Sequence, residues 1–220
     1  MGEIAQSRPN TKYYNILGGQ IVRNANEGDP GAEVRNVRNP KTGIEKERFI
    51  IPVYALEGKI KSIEIKEQEF EGIKVKKLVL KLVENGEVFQ IETPSDSSHA
   101  ISLINRLANY AKKDLGSINI TLGSYKIQDA NSERYNQGFW IHYNDGTKLE
   151  NYYGKDNTPP EIKWKEVTVN NKKVWDKTEY LRFFEKVLEG EVIPYINSLK
   201  IQDKIVVESE SDSLNPNDIF

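Results

Sequence analysis

The sequence predicts a mainly β protein with two helices, built around a small five-stranded barrel. Three observations carry this. Short β-branched runs recur between Phe49 and Tyr143, separated by turn residues. One amphipathic helical pattern interrupts them after the third run. A second helical pattern closes the ordered part of the chain, before a polar C-terminal tail.

Residues 1–11 are polar. Tyr13 to Arg23 is β-rich and broken by Gly18-Gly19, and Glu27 to Gly43, rich in Gly, Pro, Asn and Arg, reads as a long loop. Phe49 to Ile65 alternates in pieces, with Gly58 expected at a bulge or bend. Glu71-Gly72 signals a turn, and Ile73 to Val83 a strong strand. Asn85-Gly86 is the dipeptide of a type I′ hairpin, with Glu87 to Glu92 as the returning partner. Thr93-Pro94-Ser95-Asp96 then supplies helix-start chemistry. Ala100, Ile101, Ile104, Leu107, Ala108 and Ala111 follow at helical spacing, and Gly116 is the expected stop. Ser117 to Ile127 and Gly138 to Tyr143 complete the strands.

Strand, strand, strand, helix, strand, strand is the order of the OB-fold barrel, although other small barrels with one helix share it. The expected organisation is an N-terminal extension over residues 1–48, the barrel over 49–145, a C-terminal β/α elaboration over 146–205 and an acidic tail over 206–220. Within the elaboration, Lys148 to Tyr153 reads as a strand. Ile162 to Val169 and Lys173 to Trp175 read as a hairpin through Asn170-Asn171. A helix is expected from Asp176, with Glu179 placed for a capping box and Gly190 and Pro194 marking a break or kink before Tyr195.

Composition narrows the function. The chain has 220 residues, 37% hydrophobic and 29% charged, and no apolar run long enough to span a bilayer. Met1 to Ser7 lacks the features of a secretory signal, so the expectation is a cytoplasmic protein (host cytoplasm if phage-encoded) with no membrane partner. With no cysteine and two histidines, His99 and His142, no metal site or cofactor is expected. There is no phosphate loop, dinucleotide fingerprint or nucleophile elbow, which argues against an enzyme. The net charge is −2, but Glu208, Glu210, Asp212 and Asp218 lie in the last thirteen residues. Setting those four aside leaves 29 acids against 31 bases, so residues 1–207 carry +2, which permits a nucleic-acid partner without demanding one.

The tail, Glu208-Ser209-Glu210-Ser211-Asp212-Ser213 and then Asn217-Asp218-Ile219-Phe220, cannot bury enough apolar surface to fold. A terminal Ile-Phe on an acidic tether suits an anchor for a partner's pocket. This end resembles the acidic tip of bacterial single-stranded DNA-binding proteins, which close with aspartates and Ile-Pro-Phe, and is similar to the tails of phage helix-destabilising proteins. It departs from them in having no proline between Ile219 and Phe220, with Pro216 upstream instead, and in its sparser charge. The resemblance implies that Asp218, Ile219 and Phe220 dock a replication partner, a polymerase, helicase or primase. It also implies that the body coats single-stranded DNA in replication, repair or recombination, with possible homo-oligomers.

Binding single strands without sequence preference requires rings for bases to stack on and cations to follow phosphates. In Gly138 to Tyr143, alternation puts Phe139, Ile141 and Tyr143 on one face and Trp140 and His142 on the other, so Trp140 is the leading stacking candidate. Lys74, Lys76 and Lys81 would face outward together if a bulge fell near Lys76-Lys77. Tyr54, Lys59, Lys61, Phe89, Tyr125 and Lys126 are further candidates on neighbouring strands. Arg23, Arg35, Arg38 and Arg48 would either extend the groove or belong to a polar loop, and Trp164 and Trp175 are expected to be structural. The competing readings are a β-barrel assembly module, such as a virion component, and a carbohydrate-binding module using the same rings.

Overall fold

The computed structural model describes residues 10–38, 45–70, 73–130, 135–154, 157–160, 165–169 and 172–199. Its strands are β1 (Thr11–Leu17), β2 (Gln20–Asn24), β3 (Glu33–Arg38), β4 (Glu45–Val53), β5 (Ala55–Phe70), β6 (Ile73–Glu84), β7 (Glu87–Pro94), β8 (Asn119–Gln128), β9 (Tyr135–Tyr143), β10 (Lys165–Val169) and β11 (Lys172–Asp176). Helix α1 (Ser98–Lys112) separates β7 from β8, and α2 (Thr178–Val187) follows β11. The protein is mainly β with two helices, as the sequence predicts.

β1 to β9 form one curled, open sheet in the order β3-β4-β2-β1-β7-β6-β5-β8-β9, and β10-β11 form a separate hairpin. The ladders β5–β6, β6–β7, β5–β8 and β8–β9 are antiparallel, and no ladder joins β7 to β9 among the described residues. The free edge of β7 is instead taken by β1, which runs parallel to it from Thr11 opposite Val88 to Asn15 opposite Glu92. The expected N-terminal extension is therefore part of the main sheet, and β4 crosses the boundary placed at residue 48. Glu27 to Gly43, read as a loop, contains β3. Its only apolar residues are Val34 and Val37, so its pairing with β4 rather than any local pattern makes it a strand. β4 runs into β5 with Tyr54 alone between them, so one long bent strand pairs first with β2 and then with β8.

Local chemistry explains the turns. Asn85 and Gly86 have φ of 49° and 80°, the two positive values of a type I′ turn. Ser97 caps α1 by accepting a hydrogen bond from Ala100 N at 3.1 Å. The helix stops at Lys112, ahead of Gly116, because Asp114 takes the left-handed conformation (φ 49°). The bulge in β5 lies between Ile60 and Ser62 and not at Gly58. A side chain at Gly58 would approach Val83 O to 2.8 Å, so the glycine there permits close approach of two backbones.

After β9, the expected strand Lys148 to Tyr153 is reduced to one bridge, His142 to Lys148. The Asn170-Asn171 turn and Trp164 lie outside the described residues. At α2 the N-cap residue is Lys177, without a side-chain cap, and Asp176 Oδ1 accepts from Thr178 N at 2.9 Å in place of the expected capping box. Gly190 and Pro194 do not end the helix. It passes through a π turn (Leu188–Val192) and resumes over 193–199, a widened turn that accommodates the missing Pro194 N–H.

The core lies between the sheet's inner face (Ile63, Leu78, Leu80, Leu82, Ile91, Leu122, Phe139, Ile141) and α1, whose far side packs on Phe184, Val187, Leu188, Val192 and Ile196. α1 is thus buried on two sides, and Asn105 and Arg106 are buried with it. Ser102, Asn105, Arg106 and Asn109, spaced as neighbours on one helical face, bind the backbone of β9 and of the segment after it.

His99, near the start of α1, is buried edge-on against Phe139 with ring centroids 5.5 Å apart, and its Nε2 has no partner among the described residues. Burial pushes its pKa below the ordinary value. The folded protein holds it neutral while the unfolded chain protonates near pH 6.5, so stability present above about pH 6.5 is lost as pH falls towards the depressed folded value. Melting temperature is expected to drop more between about pH 7.5 and pH 5 for the native chain than for His99→Leu. Equal drops would show that His99 is not the group responsible.

Candidate nucleic-acid interface

The strongest functional feature is on the outer face of β5, β8 and β9, opposite the core. The register places Ala55, Gly123 and Trp140 in one row and Glu57, Thr121 and His142 in the next. Cross-strand neighbours share a face, so Trp140 and His142 point away from Leu122, Phe139 and Ile141, which are fully buried on the other side. The Trp140 ring lies directly over Gly123, and any side chain there would occupy the space of the indole. His142 stacks at a tilt on Trp140, with centroids 4.7 Å apart and planes at 39°. Tyr54, at the β4–β5 bend, also meets Trp140, at 5.7 Å and 51°, and is 86% exposed. Tyr125 lies on the same face of β8, and Ile127, two residues on, is 64% exposed.

The other candidates are not part of this ring cluster. Lys59 is exposed on the outer face of β5, and Lys61 is the exposed extra residue of the bulge. Lys126 is exposed but alternates to the opposite face from Trp140, where its ammonium sits 4.4 Å from the Tyr135 ring centroid. Phe89 faces inward, edge-on to Tyr14 at 6.2 Å and beneath the Lys12 ammonium, so it belongs to the core margin.

The expected grouping of Lys74, Lys76 and Lys81 is corrected by the register. β6 pairs with β5 without interruption from Ile73 opposite Phe70 to Lys81 opposite Ser62, so there is no bulge at Lys76-Lys77. Strict alternation puts Lys74 and Lys76 on the face of Leu78, and Lys77 and Lys81 on the other. Lys76 is bonded to Glu185 of α2 at 3.1 Å, and that hydrogen bond and the carboxylate's charge hold its pKa above the ordinary value. Lys81 lies 3.6 Å from Glu64. On that same face Lys77 pairs with Glu92 at 2.9 Å. Burial pushes the Glu92 pKa up, but hydrogen bonds from Lys77 and Gln90 outweigh it and hold the carboxyl below its usual value. The outer face of β5 to β7 is thus largely neutralised by its own acids.

Among the described residues no three metal-ligating side chains gather, and no helix is long and apolar enough to cross a membrane. Asp218, Ile219 and Phe220 lie outside the described residues. Gly123, missed in the sequence reading, had a usable signal: a glycine inside a strand marks a close approach by another group, here the indole. Comparison with family models, with curated proteins and with solved structures finds no match for this chain.

Proposed function

We propose that the chain binds single-stranded DNA on the outer face of β5, β8 and β9, with Tyr54, Trp140 and His142 as a stacking platform. The observation that carries this is three adjacent rings on the outer face of a sheet, one of them 86% exposed. Bases of any sequence have a face to stack, so such a platform supports coating without sequence preference. The order β5-β6-β7-α1-β8-β9 and its four ladders support an OB-type reading of this unit, with β1 in place of the ladder that would close the barrel. The mechanism is stoichiometric and needs no cofactor.

Fluorescence anisotropy of labelled oligo-dT across a salt series tests this. Expected is binding that weakens as salt rises. Binding to a polysaccharide with little salt response, or no binding to DNA at low salt, would overturn it. Tighter binding to an RNA oligomer of equal length would redirect it to RNA.

The tail completes the proposal, with Asp218, Ile219 and Phe220 docking a polymerase, helicase or primase and competing with DNA when no partner is present. A chain ending at Val207 is expected to bind oligo-dT more tightly than the full chain at low salt. Equal affinities would remove the competition and leave only partner docking.

A further inference from the structure

The charges of β4 are sorted by sign, while β3 places Glu33 on the face of Arg35 and Arg38 opposite Glu45. Glu45, Lys46, Glu47 and Arg48 alternate along β4, so the two bases share one face and the two acids the other. The antiparallel register sets Arg35 directly opposite Arg48 and Val37 opposite Lys46. Val53 pairs with Ile21 of the main core, so Lys46 and Arg48 lie on the opposite face of β4, which they share with Ile50, itself 1% exposed. Arg35 meets Gln20 at 2.9 Å and Glu33 at 3.2 Å, while Lys46 and Arg48 are exposed with no acidic partner among the described residues. Like charges directly opposed across two strands work against the pairing. An anion shared between them reverses that sign, and the planar guanidinium fork fits phosphate oxygens.

We propose that Arg35, Lys46 and Arg48 form a phosphate rail, which carries the backbone of a bound single strand along β4 away from the ring platform. The inference rests on the single-strand reading above. Arg48 precedes Tyr54 by six residues, about 20 Å along an extended strand at about 3.3 Å per residue. A strand of about 4 nucleotides would therefore occupy the platform alone, whereas one of about 16 would reach the rail.

The test is the salt dependence of oligo-dT binding by the full chain, by the triple variant Arg35→Ala/Lys46→Ala/Arg48→Ala, and by Trp140→Ala. With the longer oligomer, the triple variant is expected to flatten the slope of log K against log salt by about 1.4 to 2.1, about 0.7 for each of two or three phosphate contacts. With the short oligomer it should match the parent. Trp140→Ala should weaken binding at every salt concentration and leave the slope alone. Arg48→Glu guards against a folding artefact. It pairs with Arg35, so it should hold or raise the melting temperature while still flattening the slope. A triple variant with the parent's slope, beside a weakened Trp140→Ala, would overturn the rail and leave the platform standing. A parent that does not bind DNA would fail the platform itself.

Discussion

Arg106→Ala is expected to lower stability by about 3 kcal/mol or more, one of the largest effects of a single change in this chain. Arg106 is only 4% exposed. Its Nε donates to Phe139 O at 2.8 Å and its Nη1 donates to Leu149 O. Both carbonyls belong to the margin of the sheet: β9 is the last strand, and the segment after it folds back, with Leu149 N donating to Ile141 O at 2.8 Å. Arg106 therefore ties the sheet's terminal strand, the returning segment and α1 together through one group. Phe139 O keeps a second donor in Ser102 Oγ at 3.1 Å, so truncation mainly strands Leu149 O in a buried site and opens a void beside α1. In a domain of this size the loss corresponds to a fall of roughly 6–12 °C in melting temperature. Arg106→Lys should recover part of it, since an ammonium can donate to both carbonyls only if its stem can place it between them. A fall below about 2 °C would mean that water replaces the guanidinium and that the site is less dry than its burial implies.

Trp140→Ala is expected to weaken oligo-dT binding by about 1–3 kcal/mol, roughly 5- to 150-fold, with a small effect on melting temperature because the ring lies on the outer face. Trp140→Phe should retain much of the affinity, since a smaller ring still offers a stacking surface. Gly123→Val supplies an independent check. It leaves all three rings in the sequence but fills the space under the indole, so it should displace Trp140 and weaken binding nearly as much as removing it. Native affinity in Gly123→Val together with lost affinity in Trp140→Ala would mean that the ring's position is not what matters. Native affinity in both would sink the platform.

The reach of the sequence differed from element to element. Asn85-Gly86 specified its own turn because positive φ at two successive positions is a property of those residues and their immediate backbone. Trp140 and His142 were separable from Phe139 and Ile141 by period-two alternation, which is equally local. The lysines of β6 were not so legible. A single-residue slip reverses every face beyond it, and whether the bulge falls at Lys61 or at Lys76-Lys77 depends on how β5 and β6 meet. Phe89 and Tyr54 posed the same difficulty in opposite senses. Each is an aromatic near a strand's end, and one is roofed by β1 while the other stands free. The charge sorting in Glu45 to Arg48 was present as plain alternation, but it had meaning only once residues 33–38 were a strand and not a loop.

The sequence by itself determined the class of the fold, the order from β5 to β9 around α1, the Asn85-Gly86 turn, and the pair of rings on the outer side of β9. These follow from chemistry that acts within a few residues. Only the tertiary structure decided that β1 lies parallel to β7, that β3 is a strand, and that the polar stripe Ser102-Asn105-Arg106-Asn109 binds backbone, with Asn105 and Arg106 buried. It also brought Tyr54 against Trp140, 86 positions further along the chain. The physical reason is common to all of them. Each is a pairing between segments distant in the chain, whose stabilisation comes from surfaces and hydrogen-bonding groups that do not exist until both partners are folded.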